Sequence, residues 1–533
     1  MTTTVSGAKQ AAWAWVQANQ QRLSDFHLQI WNYAETAWRE YRSARAYCDL
    51  LRAEGFAVEE GSGGMPTAFV ARWGSGRPVL ASYAEYDAVP ENSQAPVPYR
   101  QPRPGLHPWA PGHTDPHSAL GVAALTGILA AKAVMQEFGL QGTLKFFGEP
   151  AEKVCGSKPA HAAQGYYDDL DAAISYHPHP TNTTIWDTHC GAYWSCVFTF
   201  ECLAPEEWID QSLLAHPGHP HAAARAPAAI DALCLMYTLT KYTKEAMYPH
   251  TGTWTLNEFI LVGGQCTSDN LPPRLAQIQY AWRSPTLEIQ EHISRVLSDN
   301  ARQAAAATAC SASVRWVTKT RVGLPNHALA ELTYRNLELV GAPRYGEAAR
   351  DFAREIQKNL GLTPMADPFT DDCQRLTSPQ EWEARQRHGL PAWQCNFTAD
   401  DYVDYTWHAP TVRFHTARPR LRPATPGYLY PAWVNNALGG VPECINPSIF
   451  VAGNTIAATL IDLLQAPEAL QKAQEEFRQR TGGGIDGNTW VAPLLPKDFP
   501  PPVELRWPEY IQTVRGEEWW IPTSKAESAY MRL

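Results

Sequence analysis

Imidazole and carboxylate side chains alternate at one point of the sequence. His113, Asp115 and His117 are separated by single residues and precede a long apolar run. Side chains of these types, brought together just after a loop, can bind one divalent cation. The alternative is a polar loop in which Asp115 caps the following helix. The segment is the first candidate for a metal site.

Two later segments place further acid–base groups at the ends of predicted strands. Glu152 and Lys153 follow the strand in GTLKFFGEPAEK, and His177 ends the strand in DAAISYH. In open α/β sheets, ligand-binding residues gather at the carboxyl ends of strands, so we expect the three segments to meet. Together they predict a hydrolytic metal site. The alternatives are a solvated ion pair between Glu152 and Lys153 and a structural, buried His177.

The composition excludes several other classes of protein. The chain has 533 residues, a net charge of −10, 18% charged and 11% aromatic residues, which excludes a disordered chain. It has no basic block, so nucleic acid is not the expected partner. It also has no G-x-S-x-G, no phosphate-binding glycine loop and no C-x-x-C pair. We predict a reduced, cytoplasmic protein that acts on a small molecule.

The elements that must position these groups have the pattern of an α/β domain. Residues 8–55 have apolar side chains at helical spacing, and short β-branched or aromatic runs then alternate with helical segments. The most apolar run, residues 118–131, has 14 residues, which is too short for a bilayer and predicts a buried helix. We therefore expect a central, mostly parallel sheet between helices, and no membrane partner.

A second pattern begins near residue 188. Its β-α-β-β-α-β order is typical of a ferredoxin-like α+β domain inserted into the first one. The predicted divisions are a catalytic domain in two parts, 1–187 and 321–480, an inserted domain, 188–320, and an extended C-terminal tail, 481–533.

Seven segments occur in the order and spacing of the aminoacylase/carboxypeptidase-type metallo-amidohydrolases. They are EYDAVP, GHTDPHSALG, GEPAEKVCGSK, DAAISYHP, GGQCTSDNLPPRLAQIQYAWR, TADDYVDYTWHAPT and NPSIFVAGNTIAATLIDLLQAPEAL. Over residues 25–480 the chain resembles this family and, within it, the p-aminobenzoyl-glutamate hydrolase branch. The resemblance implies hydrolysis of an amide bond by a metal-activated water, and an inserted lid domain through which the chain forms a homodimer.

The resemblance also implies roles for the candidate residues. It makes Asp115, His117 and His177 the metal ligands and Glu152 the general base. Asp87 and His113 would not bind the ion but would contact its ligands and orient them.

Two ligands of the family are replaced, by Lys153 and Asn446, and both would serve the same ion. We therefore expect one divalent ion, Zn or Mn, with two ions as the alternative. The Lys153 ammonium would stand where the charge of the second cation would lie, and would donate to a developing oxyanion.

The inserted domain contributes the remaining candidates. The resemblance assigns oxyanion stabilisation in the partner subunit to His221, with His219 as the alternative. It assigns binding of the substrate's carboxylate or carbonyl to Asn270 and Arg283. Outside the inserted domain, Asn446 is the remaining substrate-binding candidate. The predicted reaction is hydrolysis of an N-acyl or N-aroyl amino acid or a related small aromatic amide. The alternatives are a hydrolytic deaminase or condensing enzyme on the same scaffold, and a non-catalytic ligand-binding pseudo-hydrolase.

Overall fold

The computed structural model describes residues 5–204, 227–264, 273–505, 507–513 and 516–519. The chain forms two compact units. The first is Met1–Thr188 with Leu324–His388 and Asp404–Leu533, and the second is His189–Gly323 with Gly389–Val403. Residues 389–403 were predicted to belong to the catalytic domain. In the structure they belong to the second unit, because strand Asn396–Ala399 pairs with strand His189–Glu201.

The helices of the described residues, in chain order, are α1 Gly7–Tyr33, α2 Tyr41–Ala53, α3 His117–Phe138, α4 Ser157–Ala163, α5 Ala229–Met247, α6 Leu287–Ala307, α7 His327–Val340, α8 Glu347–Asn359, α9 Asp371–Gln374, α10 Pro379–Arg387, α11 Ala432–Gly439, α12 Pro442–Gln465 and α13 Pro467–Thr481. The strands are β1 Ala57–Glu60, β2 Phe69–Ser75, β3 Val79–Ala84, β4 Gly142–Gly148, β5 Ala172–Tyr176, β6 Thr183–Thr184, β7 His189–Glu201, β8 Thr255–Val262, β9 Leu275–Ser284, β10 Ser311–Lys319, β11 Asn396–Ala399, β12 Thr411–His415, β13 Tyr510–Thr513 and β14 Gly516–Trp519.

The first unit is built around a seven-stranded sheet in the order β1-β2-β4-β3-β5-β12-β6. Its centre, β4-β3-β5-β12, is parallel, while β1, β2 and β6 pair antiparallel at the edges. The four central strands are buried along their whole length, which agrees with their nearly continuous apolar sequences. The predicted α/β class is confirmed, with a sheet that is parallel only at its centre.

Two helices of this unit have the length and apolar composition of membrane spans. The most apolar windows of α3 and α12 are, however, 89% and 72% buried inside the structure. The prediction of a buried helix after His117 agrees with this, since α3 packs against α12, α1 and β3.

The second unit contains the predicted β-α-β-β-α-β order. Its strands β10-β7-β9-β8 form one antiparallel sheet, and α5 and α6 pack on it. Its role as a lid or dimerisation domain stays a prediction. Near the chain end, where the sequence predicts an extended tail, β13 and β14 form a hairpin.

Candidate active site

The candidate residues of the first unit meet at the carboxyl ends of the central strands. Asp87 follows β3, the turn Glu152–Val154 follows β4, and His177 follows β5. His117 is the first residue of α3, which packs on β3. Parallel pairing of β4, β3 and β5 brings these ends to one edge, as expected for an open α/β sheet.

The Lys153 ammonium lies at the centre of this group. Its Nζ is 2.9 Å from Asp115 Oδ2, 2.7 Å from His117 Nε2 and 3.2 Å from Glu152 Oε2. An ammonium has three N–H donors, so these three acceptors satisfy it completely. We predicted from the sequence that this charge would lie at the position of a second ion. In the structure the ammonium contacts Asp115 and His117, two of the three residues expected to bind the first ion.

Backbone geometry accounts for this position. Glu152 and Lys153 lie in a short 3-10 turn that follows Ala151 and precedes Cys155, and both flanking residues have positive φ angles, 58° and 50°. Non-glycine residues rarely adopt this left-handed conformation, and such strain is concentrated at functional sites. The Ala151 amide donates to Glu40 Oε1 at 2.7 Å, which helps to hold the turn.

Asp87 fixes two parts of the site at once. Its Oδ1 accepts from His117 Nδ1 at 2.7 Å, and its Oδ2 accepts from the backbone amide of Lys153 at 2.8 Å. The His117 proton on Nδ1 is thereby committed to Asp87, and Nε2 is left with its lone pair toward Lys153. This is the geometry in which a carboxylate orients a histidine ligand.

The ammonium controls the charge of the carboxylates around it. Burial alone would raise the pKa of Glu152, but the Lys153 ammonium outweighs it and lowers this pKa to about 2. Burial likewise opposes ionisation of Asp115, and Lys153 and His177 hold its pKa well below the usual range. Both groups are therefore carboxylates at neutral pH.

Lys153 and His117 share one positive charge. Burial lowers the pKa of Lys153, but Asp115 and Glu152 raise it above its ordinary value. Burial and Lys153 lower the pKa of His117, while Glu85 and Asp87 raise it to about 9. Two N–H donors cannot face each other at 2.7 Å. With Lys153 in place the imidazole is neutral, and it gains a proton only when the ammonium turns away.

Two pairs of donor atoms have nearly the separation expected of two ligands of one divalent ion. Asp115 Oδ2 is 3.6 Å from His117 Nε2 and 3.8 Å from His177 Nε2, close to the roughly 3.3 Å that separates two ligands of one zinc ion. The Nδ1 of His177 donates to the Pro178 carbonyl, which leaves Nε2 for the site. The ammonium already uses the Asp115 and His117 lone pairs, so an ion on these atoms requires Lys153 to move.

A second, fully buried ion pair, between Lys158 and Glu85, lies beside the contacts of Lys153. Neither residue is among those predicted from the sequence to form the site. Lys158 Nζ is 2.7 Å from Glu85 Oε1, and Glu85 Oε2 is 3.2 Å from His117 Nε2. Glu85, His117 and His177 also offer donor atoms close enough to share an ion. A signal was available, because Glu85 and Lys158 belong to the EYDAVP and GEPAEKVCGSK segments.

The other predicted residues lie in different surroundings. His113 is fully buried, and burial and the neighbouring His117 hold its pKa well below the usual range. Asn446, on α12, exchanges hydrogen bonds with Ser24 of α1. In the second unit, the Arg283 guanidinium lies 4.9 Å from the centre of the Tyr193 ring.

Three predicted residues, His219, His221 and Asn270, lie outside the described residues. Their roles, like those of His113, Asn446 and Arg283, stay predictions.

The chain is similar to known hydrolases. One subunit of the p-aminobenzoyl-glutamate hydrolase of Escherichia coli (strain K12) is 27% identical over 499 residues, which cover 91% of this chain and 97% of that protein. The Xaa-Arg dipeptidase of Mus musculus is 26% identical over 313 residues, 55% of this chain and 62% of its own. No family model matches the chain.

A solved structure shares the fold. The aminobenzoyl-glutamate utilization protein from Klebsiella pneumoniae has a TM-score of 0.52 at 15% identity and covers 84% of this chain and 98% of its own. The resemblance predicted from the seven segments is confirmed, and so is the prediction that the chain is a hydrolytic enzyme.

Proposed function

We propose, from its similarity to the p-aminobenzoyl-glutamate hydrolase of E. coli, that this chain hydrolyses the amide bond of an N-acyl or N-aroyl amino acid. The observation that carries the proposal is the convergence of Glu152, Lys153, Asp115 and His117 at the carboxyl ends of the parallel strands. A carboxylate base beside a placed cation is what addition of water to an amide requires.

Glu152 is the general base of the proposed reaction. Its ionised carboxylate accepts a proton from the attacking water and then returns it to the leaving nitrogen. An adjacent ammonium makes Glu152 a weak base, because it lowers the pKa to about 2. The proton transfer therefore becomes easier as Lys153 shifts its donors toward the substrate.

Lys153 stabilises the charge that develops on the carbonyl oxygen. Its contact with Glu152 Oε2, 3.2 Å long, is the longest of its three. When Glu152 takes up a proton it loses its negative charge and becomes the poorer acceptor. One N–H of Lys153 is then released to the oxyanion at the moment when that charge forms.

Asp115, His117 and His177 would hold one divalent ion, zinc or manganese. Such an ion, when bound, lowers the pKa of water and polarises a carbonyl. Asp87 keeps the His117 Nε2 lone pair directed at the ion, and Lys153 has to withdraw from it. The proposed number of ions is one, since Lys153 and Asn446 replace the two ligands expected to hold a second ion.

Glu152→Gln is the direct test. Against a panel of N-acyl and N-aroyl amino acids, we expect turnover to fall on the order of 10²-fold or more, with metal content unchanged. Glu468→Gln, at an exposed position of α13, is the matched control and should retain full turnover. Equal turnover in wild type and Glu152→Gln would remove Glu152 from the mechanism. No hydrolysis by the wild type of any member of the panel would overturn the proposed reaction.

Assembly is a separate proposal. The E. coli relative is named as one subunit of a hydrolase. We propose that this chain forms a homodimer through its second unit, and sedimentation velocity of the purified chain tests it. A monomer at all concentrations would contradict this proposal without affecting the chemistry.

A further inference from the structure

A cavity of about 280 Å³ adjoins the candidate site within the first unit. Arg418 and Arg420, which follow β12, line it together with Pro180, which follows His177 by three residues. Because β12 pairs in parallel with β5, this cavity lies at the same sheet edge as His177.

Arg418 connects the cavity to the reacting groups. Its Nη1 is 3.1 Å from the Thr114 carbonyl and 3.6 Å from Asp115 Oδ1. The other carboxylate oxygen of Asp115 accepts from Lys153. A molecule bound beside Arg418 is therefore held next to Asp115.

The cavity walls carry more positive charge than the protein neutralises. Arg420 is exposed and has no ion-pair partner within the described ranges. Among the described residues, the ion pair of Arg418 is the 3.6 Å contact with Asp115, whose charge Lys153 already offsets. By contrast, Arg422 is ion-paired with Asp371 at 3.0 Å and Asp367 at 3.6 Å. Two arginines that line one cavity are suited to binding a carboxylate.

The rest of the wall is mainly aromatic and aliphatic, with Asn435 as a polar member. Tyr428 and Tyr430 lie with ring centres 5.0 Å apart, at 86° to each other, and Leu429 is 82% exposed. Exposed aromatic and aliphatic surface beside paired cations favours a carboxylate attached to a ring over a small inorganic anion.

We propose that this cavity binds the amino-acid half of a substrate whose side chain is aromatic, with Arg418 and Arg420 holding its free carboxylate and Tyr428 contacting the ring. The proposal rests on the proposed function for its substrate, an N-acyl or N-aroyl amino acid. It places carboxylate recognition in the first unit, in addition to the role predicted for Arg283.

Benzoate is the probe, and calorimetric titration into the full chain measures its binding without any turnover. We expect Arg420→Gln to weaken benzoate binding at least tenfold, since one of two charge-assisted contacts is lost. Arg422→Gln, two residues away and outside the cavity, is the matched control and should bind benzoate as the wild type does. Benzamide, which has the ring without the charge, should bind at least tenfold more weakly than benzoate.

Three outcomes would overturn the inference: no benzoate binding by the wild type, equal losses in Arg420→Gln and Arg422→Gln, or benzamide binding as tightly as benzoate. Failure of the proposed function looks different. If the amide panel is not hydrolysed while benzoate still binds through Arg420, the cavity is a carboxylate site and only the reaction is wrong.

Discussion

Lys153 is the residue that distinguishes this site. Its ammonium contacts the carboxylate and imidazole atoms that are the proposed ligands of a metal ion. Like charges repel, so a divalent ion gains these ligands only by displacing the ammonium. We therefore expect the identity of this one side chain to control the metal affinity of the proposed site.

Replacing Lys153 with methionine should raise that affinity. The substitution keeps the length of the side chain but removes its charge, and so frees Asp115 Oδ2 and His117 Nε2. After dialysis against micromolar zinc or manganese, we expect several-fold more ion per chain in Lys153→Met than in wild type, by elemental analysis. Lys472→Met, on the exposed side of α13, controls for loss of a lysine elsewhere. Equal metal contents in all three proteins would show that the ammonium does not compete.

The positions of site residues could be predicted where the sequence pattern indicates the end of a strand or the start of a helix. Glu152 and His177 follow two short apolar runs, and His117 opens the most apolar helix, so their meeting point followed from the α/β pattern, whereas Asp87 was assigned only through the family resemblance. The position of the Lys153 ammonium did not follow from that pattern, because Ala151 and Cys155 adopt left-handed conformations that nothing in their side chains favours. Arg418 was missed because it follows β12 in a segment without any recognised motif.

Gly121 is a point of close packing between α3 and the end of β3. A Cβ on this residue would lie closer than 3.0 Å to the Tyr47 hydroxyl, Ala84 Cβ and the Glu85 carbonyl. Gly121→Ala should therefore push away the helix that carries His117, one turn before it. We expect a loss of stability of about 1–3 kcal/mol and reduced turnover. Denaturant unfolding and steady-state kinetics measure both effects.

Gly346→Ala is the matched substitution for this prediction, because its Cβ would meet nothing within 4 Å. Its unfolding midpoint should stay close to that of the wild type. A Gly121→Ala protein as stable and active as Gly346→Ala would contradict the close packing of α3 on β3.

At the scale of the whole molecule, buried charge makes stability depend on pH. Glu149 is fully buried and accepts from Tyr167 and Tyr405 at 2.7 and 2.8 Å, with His161 at 3.0 Å. Burial opposes its charge, but His161 and Lys158 lower its pKa from 4.5 to about 2. Its contribution is therefore complete above about pH 4.5 and is lost as the pH falls toward 2.

Glu149→Gln should remove this contribution. At pH 7 we expect the variant to be less stable by on the order of 2 kcal/mol, and the difference to shrink as the pH falls from 4.5 to 3. Unfolding midpoints at several pH values test this, with Glu355→Gln, at an exposed position of α8, as the control. A difference that is constant with pH would mean that the ionisation of Glu149 is not coupled to folding.

The ammonium at the centre of the site also affects how the proposed site would respond to the availability of metal ions. A free ion leaves its ligands when its concentration falls below the dissociation constant, whereas a tethered group has an effective concentration that dilution cannot lower. Chelation or metal starvation would empty the proposed ion site, but it cannot remove Lys153. The site would therefore pass between two cations with the metal content of its surroundings, and Asp115 and His117 would keep a positive charge between them in both states.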